Sequence, residues 1–271
     1  MSAAAGTLAG VRVLFVGDVF ATPGMRAARR FVRRERDAYD LIVVNGENAA
    51  GGFGLTRKHF QQLRDAGADV VTLGNHAFDQ AETAELLEET PNLLRPLNYP
   101  SGTPGLGATT VAVPGGGRIT VAQVMGRVFL DPLDDPFRTL DALIDGREND
   151  HALVVDVHAE ATSEKKVLGW HLFGRAAAAI GTHTHVQTAD EAVVAGTAYI
   201  TDVGMTGVQA SSIGMRFEEV HHRFVHKRPK RFRPADGVAT VCAVALELDG
   251  PRARRIERIQ WTETEDEDAP R

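Results

Sequence analysis

Five times along this chain a short apolar run stops at a polar cluster. Val11 to Val16 leads into Gly17-Asp18-Val19-Phe20, Leu41 to Val44 into Asn45-Gly46-Glu47-Asn48, and Val70 to Leu73 into Gly74-Asn75-His76. Leu153 to Val157, which carries Asp156, leads into His158, and Ala176 to Ile180 leads into Gly181-Thr182-His183-Thr184-His185. Apolar runs of four to six residues read as buried strands. Loops at the carboxyl ends of strands are where open α/β sheets place ligands. Five loops from distant parts of the chain are therefore expected to converge on one site.

Helical stretches separate the early runs. Pro23 suits the first turn of a helix through Arg36, because a first-turn proline loses no hydrogen bond. Thr56 can cap a helix through Ala66, and Ala81 to Glu89 reads as a helix closed by Pro91. This β-loop-α rhythm favours an α/β fold with mostly parallel strands. The middle changes character. Thr109 to Val113 and Ile119 to Val124 flank a Pro-Gly-Gly-Gly turn, which predicts a hairpin. A helix is expected over Thr162 to Leu172, with Thr162 or Ser163 as its cap, and a strand over Ala198 to Ile200. Val238 to Leu248 and Ala253 to Trp261 predict a closing β pair around Asp249-Gly250-Pro251. One domain is expected over 11–261, after an N-terminal extension (1–10) and before an acidic, disordered tail (262–271).

The polar clusters hold the residue types that a pair of transition metals needs, namely imidazole, carboxylate and amide oxygen. Asp18 and Glu47 supply carboxylates, His158, His183 and His185 supply imidazoles, and Asn48 and Asn75 supply amides. In a regular strand, His183 and His185 would share a face, within reach of two adjacent ions. Taken singly these motifs are weak. Gly-Asp after a strand is usually a turn, and Asn-Gly-Glu-Asn is more often a plain loop. Their joint occurrence in this order is far more specific. A single cysteine, Cys242, cannot form an intrachain disulfide or a thiolate cluster, and it reads as a core residue. Any metal must therefore be held by oxygen and nitrogen.

Composition removes several other classes. No Gly-x-Gly-x-x-Gly follows the first strand and no P-loop occurs. No apolar run reaches 18 residues, so no membrane span is expected. The N-terminus lacks the basic and apolar regions of a signal peptide, which points to a cytoplasmic protein. The formal net charge of −6 gives no general attraction to nucleic acid or anionic membranes.

The order of these motifs resembles the calcineurin-like metallophosphoesterases, and within them the YmdB-like branch. The residues that carry the resemblance include Asn45-Gly-Glu-Asn-Ala-Ala-Gly-Gly52, Leu73-Gly-Asn-His76 and His158-Ala-Glu-Ala-Thr-Ser-Glu-Lys165. Gly181-Thr-His-Thr-His-Val-Gln-Thr-Ala-Asp190 and Tyr199-Ile-Thr-Asp-Val-Gly-Met-Thr-Gly207 extend it, so that it spans about Val11 to Trp261. The resemblance implies a four-layer α/β/β/α metallophosphoesterase sandwich with two transition-metal ions per chain. Iron is the expected metal, with manganese or zinc as alternatives. Asp18, Asn48 and His185 would hold one ion, Asn75, His158 and His183 the other, and Glu47 would bridge them. His76 would be the proton donor. The broad superfamily has Asp-x-His in its first motif, whereas this chain has Asp18-Val19-Phe20, so Asn48 is expected to replace the missing imidazole.

The expected function is hydrolysis of a phosphodiester. A hydroxide shared by the ions would attack phosphorus, and His76 would protonate the leaving oxygen. The resemblance points to cyclic nucleotides, with 2′,3′-cyclic nucleotides first. Two alternatives carry different partners. One is a metal-dependent signalling protein with low turnover. The other is an RNA-binding protein that uses the basic segment 221–233, where Phe224 and Phe232 interleave with Arg and Lys. A homo-oligomer stays open. His59, His151, His171, His221, His222 and His226 have no companion motif.

Overall fold

The computed structural model describes residues 8, 10–115, 117–148 and 151–264 of the 271-residue chain. In chain order its elements are β1 (Val11–Val16), α1 (Ala21–Glu35), β2 (Leu41–Asn45), α2 (Arg57–Ala66), β3 (Val70–Thr72), α3 (Thr83–Glu89), β4 (Leu93–Leu94), β5 (Ala108–Ala112) and β6 (Arg118–Met125). There follow α4 (Pro136–Gly146), β7 (Ala152–His158), α5 (Thr162–Leu172), β8 (Ala178–Thr182), β9 (Ala192–Val194), β10 (Thr197–Ile200), α6 (Phe217–His226), β11 (Thr240–Asp249) and β12 (Arg252–Thr262). The strands form two six-stranded sheets, ordered β12-β11-β1-β2-β3-β4 and β5-β6-β7-β8-β10-β9.

Strand alternation explains the layering. Val11, Val13 and Phe15 of β1 join Leu41 and Val43 of β2 in a core between the sheets, where they meet Ile119, Val121, Val154, Ala178 and Ile180 of the second sheet. The alternate residues Leu14, Val16, Ile42 and Val44 face outward and are covered by α1, α2 and α3. On the far side Leu153, Val155 and Val157 meet Leu140 of α4 and Leu168 and Leu172 of α5. Successive strand residues point to opposite faces, so a strand buried on both faces must be apolar throughout. The result is the expected α/β/β/α order. Each fully buried Val, Leu or Phe contributes about 1.5–3 kcal/mol.

Several boundaries follow the sequence closely. Thr56 caps α2 by accepting the His59 N–H, β5 and β6 form the antiparallel hairpin, and α5 spans Thr162–Leu172 as predicted. Its cap differs, because Ala161 occupies that position and no side chain caps it. The elements β4, β9, α4 and α6 were not anticipated. The chain between β1 and the tail is also longer than predicted at both ends. Leu8 is buried in the core between the sheets, β12 continues through Thr262, and the Glu263 carboxylate accepts the Ala239 N–H and pairs with Arg26. The rest of the predicted N-terminal extension and acidic tail, apart from Gly10 and Thr264, and Gly116 of the hairpin turn lie outside the described residues. Among the described residues no helix is long and apolar enough to cross a membrane.

Candidate metal centre

Strands β1, β2 and β3 are parallel, as are β6, β7 and β8. Each trio therefore ends along one edge, and the five polar clusters meet there. Asp18, Glu47, Asn48, Asn75, His76, His158, His183 and His185 come together there. Asp18 and His158 form the buried floor, each fully inaccessible to solvent. Glu47, Asn48, His76, His183 and His185 line a cleft of about 270 Å³, walled by Phe20, Phe53, Ile213 and Met215. The glycine before Asn75 is required by this approach, because a Cβ on Gly74 would be driven into Glu47 Oε2 and His158 Nε2.

With Asp156 ionised, the hydrogen bonds place the protons. His158 Nδ1 lies 2.9 Å from Thr182 Oγ1, and that hydroxyl donates to Asp156 Oδ1 at 2.7 Å. The hydroxyl proton is thus committed, so Nδ1 is the donor and Nε2 presents a lone pair. Nε2 nevertheless faces Asn75 Oδ1 at 2.9 Å and Glu47 Oε1 at 3.1 Å. Glu47 Oε1 is buried without a hydrogen-bond donor. His185 repeats the pattern. Its Nδ1 faces the Ile213 carbonyl at 3.0 Å and must donate, while its Nε2 faces Asn48 Oδ1 at 3.2 Å. Asn48 Nδ2 already donates to the Gly52 carbonyl, which turns Oδ1 toward His185. Acceptors that converge without a proton between them suit a cation.

Electrostatics point the same way. Asp18, Glu47, Asp156 and Asp202 are all buried. Burial, followed by repulsion from Asp202, Glu47 and Asp156, raises the Asp18 carboxyl well above the usual carboxylate range. Burial also pushes Asp156 up to about 7, although Thr182, Thr72 and Asn45 donate to it. Two of the imidazoles are held toward the neutral form, which a metal ligand needs. Burial pushes His158 down to about 4 against the pull of Glu47, and it lowers His185 as well. Glu47, His158 and His183 each offer a ligand atom within 4.8 Å of the others. The donor set of imidazole, carboxylate and amide suits divalent transition metals.

His183 and His185 reach the cleft by a different route from the one predicted. Strand β8 ends at Thr182, and both histidines adopt left-handed backbone, φ 92° and 67°. The His183 N–H points at both Asp18 carboxylate oxygens, 3.3 Å away. Between them, the Thr184 N–H and hydroxyl bind Asp202 Oδ2 at 3.0 and 2.6 Å. Asp202 is matched by the buried Lys165 ammonium at 2.5 Å. Asp202 is therefore a support beneath the loop. The cleft wall on this side is formed by Ile213 and Met215.

Two neighbours of His76, Asp79 and Phe53, were not singled out from sequence. His76 Nδ1 pairs with Asp79 at 2.7 Å, and its ring packs edge-on against Phe53. The signal was Asp79 three residues after His76, one turn onward. Glu160, two residues after His158, reaches His183 Nε2 at 3.1 Å. Phe20, which stands where the superfamily has histidine, packs edge-on against His185. The basic segment lies on α6 and the residues after it. Phe232 packs against the Phe20–Met215 cluster and is covered by Arg223, which leaves Phe224 as its exposed ring.

Comparison with known proteins places the chain among relatives along nearly its whole length. The model of a family described as YmdB-like protein matches residues 14–259. A 2′,3′-cyclic-nucleotide 2′-phosphodiesterase of Bacillus subtilis (strain 168) is 46% identical over 92% of this chain and 96% of its own length. The crystal structure of a hypothetical protein from Thermus thermophilus superposes with a TM-score of 0.90 at 50% identity, covering 94% of this chain and 100% of that one. The structure of a novel phosphatase from Mycoplasma pneumoniae gives a TM-score of 0.88 at 31% identity over 95% of each chain.

Proposed function

The chain belongs to the YmdB-like family of metallophosphoesterases, and on that premise we propose that it hydrolyses phosphodiester bonds of cyclic nucleotides, 2′,3′-cyclic nucleotides first. The supporting observation is the convergence of Glu47 Oε1, Asn48 Oδ1, Asn75 Oδ1, His158 Nε2 and His185 Nε2, acceptors in two groups with no hydrogen-bond donor to Glu47 Oε1. Asp18, Asn48 and His185 would hold one transition-metal ion, Asn75, His158 and His183 a second, and Glu47 would bridge them. Iron is the proposed metal, with manganese or zinc as alternatives. Such ions, when bound, supply positive charge to a developing phosphorane and acidify water.

The chain's own side chains account for the rest. His76 stands at the cleft with Nδ1 tied to Asp79. That bond leaves Nε2 as the atom able to hand a proton to the departing ribose oxygen, a task that suits an imidazole near neutral pH. The His76 N–H donates to Glu47 Oε2 at 3.3 Å, which couples the proton donor's backbone to the ligand cluster. Phe20, Phe53, Ile213 and Met215 give the cleft an apolar wall for a nucleoside, while the charged groups lie at its base.

Metal analysis of the purified protein, paired with a screen of linear and cyclic nucleotides, tests this reading. Two metals per chain and turnover of a cyclic diester are expected, whereas metal-free protein with full turnover would overturn it. His76→Ala should keep both metals and lose about 10²-fold or more in turnover. Unchanged turnover would remove His76 from its role.

A further inference from the structure

One buried carboxylate has no place in the ligand set. Asp156 lies two residues before His158 on β7, and both follow the inward parity of Ala152 and Val154. Four polar side chains of the same parity close on it from four other strands. Asn45 Nδ2 donates at 3.1 Å, Thr72 Oγ1 at 2.6 Å and Gln123 Nε2 at 3.1 Å, all to Oδ2, and Thr182 Oγ1 donates to Oδ1 at 2.7 Å. The amides are oriented by their second contacts, since Asn45 Oδ1 accepts the Glu47 N–H and Gln123 Oε1 accepts the Leu73 N–H. In its ionised form, which these four donors favour, Asp156 is an acceptor on every side.

That arrangement has a consequence for His158. A hydroxyl has one proton, and Thr182 gives its proton to Asp156. Its oxygen can then only accept from His158 Nδ1 at 2.9 Å. We propose that Asp156 is a positioning residue of the metal centre, which acts through Thr182 to hold His158 as the Nδ1-protonated tautomer with Nε2 free to ligate. Metal-binding histidines commonly donate their second nitrogen to a carboxylate or carbonyl, and loss of such a partner lowers metal affinity about 10–100-fold. Here the carboxylate acts one hydroxyl removed, from between the two sheets. Asn45 and Thr72 belong to the first sheet and Gln123 and Thr182 to the second. Asp156 thereby also ties the sheets together directly beneath the ligands. The inference rests on the metal-centre reading above.

The test uses the full chain and Mn²⁺ alone as probe. Thr182→Val keeps the shape and removes the hydroxyl, Thr182→Ser keeps the hydroxyl, and Asp156→Asn removes the all-acceptor carboxylate. Equilibrium dialysis with metal analysis should show wild-type stoichiometry and affinity in Thr182→Ser. In Thr182→Val and Asp156→Asn, one of two Mn²⁺ ions should bind about 10-fold or more weakly. Thermal melts establish that each variant is folded. A second measurement reads the unaltered network directly. The ¹⁵N spectrum of chelator-treated wild-type protein, with His158 assigned by its loss in His158→Gln, should show Nδ1 protonated and Nε2 bare. An Nε2-protonated His158, or unaltered Mn²⁺ affinity in folded Thr182→Val, would overturn the inference while leaving the metal centre standing. Wild-type protein that binds no Mn²⁺ would instead remove the metal centre, and this inference with it.

Discussion

His158 ends a strand that is paired on both sides, in register with Met125 of β6 and Thr182 of β8, whereas His183 and His185 follow a strand and stand in left-handed loop backbone. The first of these histidines is placed by sheet register and by a polar network between the sheets. The other two occupy a conformation that costs about 1–3 kcal/mol per non-glycine residue. The loop therefore needs a separate device to hold it, and Lys165, Asp202 and Thr184 supply one. The buried Lys165–Asp202 pair is anchored in α5, and Asp202 binds the backbone N–H and hydroxyl of the residue between the two histidines. A strand can carry a ligand on regular geometry, but a strained loop must be fastened to the core.

The largest effect expected from breaking this contrast is at Lys165. Lys165→Met would leave Asp202 buried without its counterion and should cost about 3–5 kcal/mol of stability, read by urea unfolding. A loss under about 1 kcal/mol would show that the ion pair does not hold the loop. Thr184→Val is a narrower cut, since the backbone N–H still reaches Asp202. It should cost about 1–3 kcal/mol through the lost hydrogen bond to a buried charge. Metal binding should weaken before the fold does, and equal loss of metal and fold would erase the distinction between loop and strand. The smallest effect concerns Asp190, where the loop rejoins the sheet. Burial opposes ionisation there, but hydrogen bonds from Lys166, Thr201 and Thr188 prevail and hold the carboxyl well below the usual range. A depressed folded-state pKa contributes stability above the unfolded value near 4, and that stability is lost as pH falls further. Asp190→Asn should therefore destabilise the protein at pH 7, with the gap to wild type shrinking below about pH 4. A gap independent of pH would show that the bonds, rather than the charge, matter.

Much of this molecule was legible before its structure. Runs such as Val11–Val16 could be read as strands because residues buried on both faces must be apolar throughout. Thr56 marked a helix start because its hydroxyl serves a backbone N–H three residues on. Helix α4 escaped notice although its start is written in Asp135-Pro136, where Asp135 caps and Pro136 opens the first turn. Strands β4 and β9, of two and three residues, carry too short a pattern to stand out. The residues that converge at the cleft were legible as motifs, but the spacing of His183 and His185 was read as strand alternation. The chain leaves strand geometry after Thr182 because the Asp202 clamp and Asp18 stabilise the left-handed turn, and both partners are distant in sequence.

The sequence alone determined the longer strands, their polar ends and the nitrogen-and-oxygen character of the site, because each depends on neighbouring residues and on strand or helix period. Only the tertiary structure decided that Asp156 meets side chains from four other strands, that Thr182 sets the His158 tautomer, and that Phe20 packs against His185. Those outcomes depend on which inward positions of two facing sheets coincide. Sheet order and register set that coincidence, and no local pattern records it.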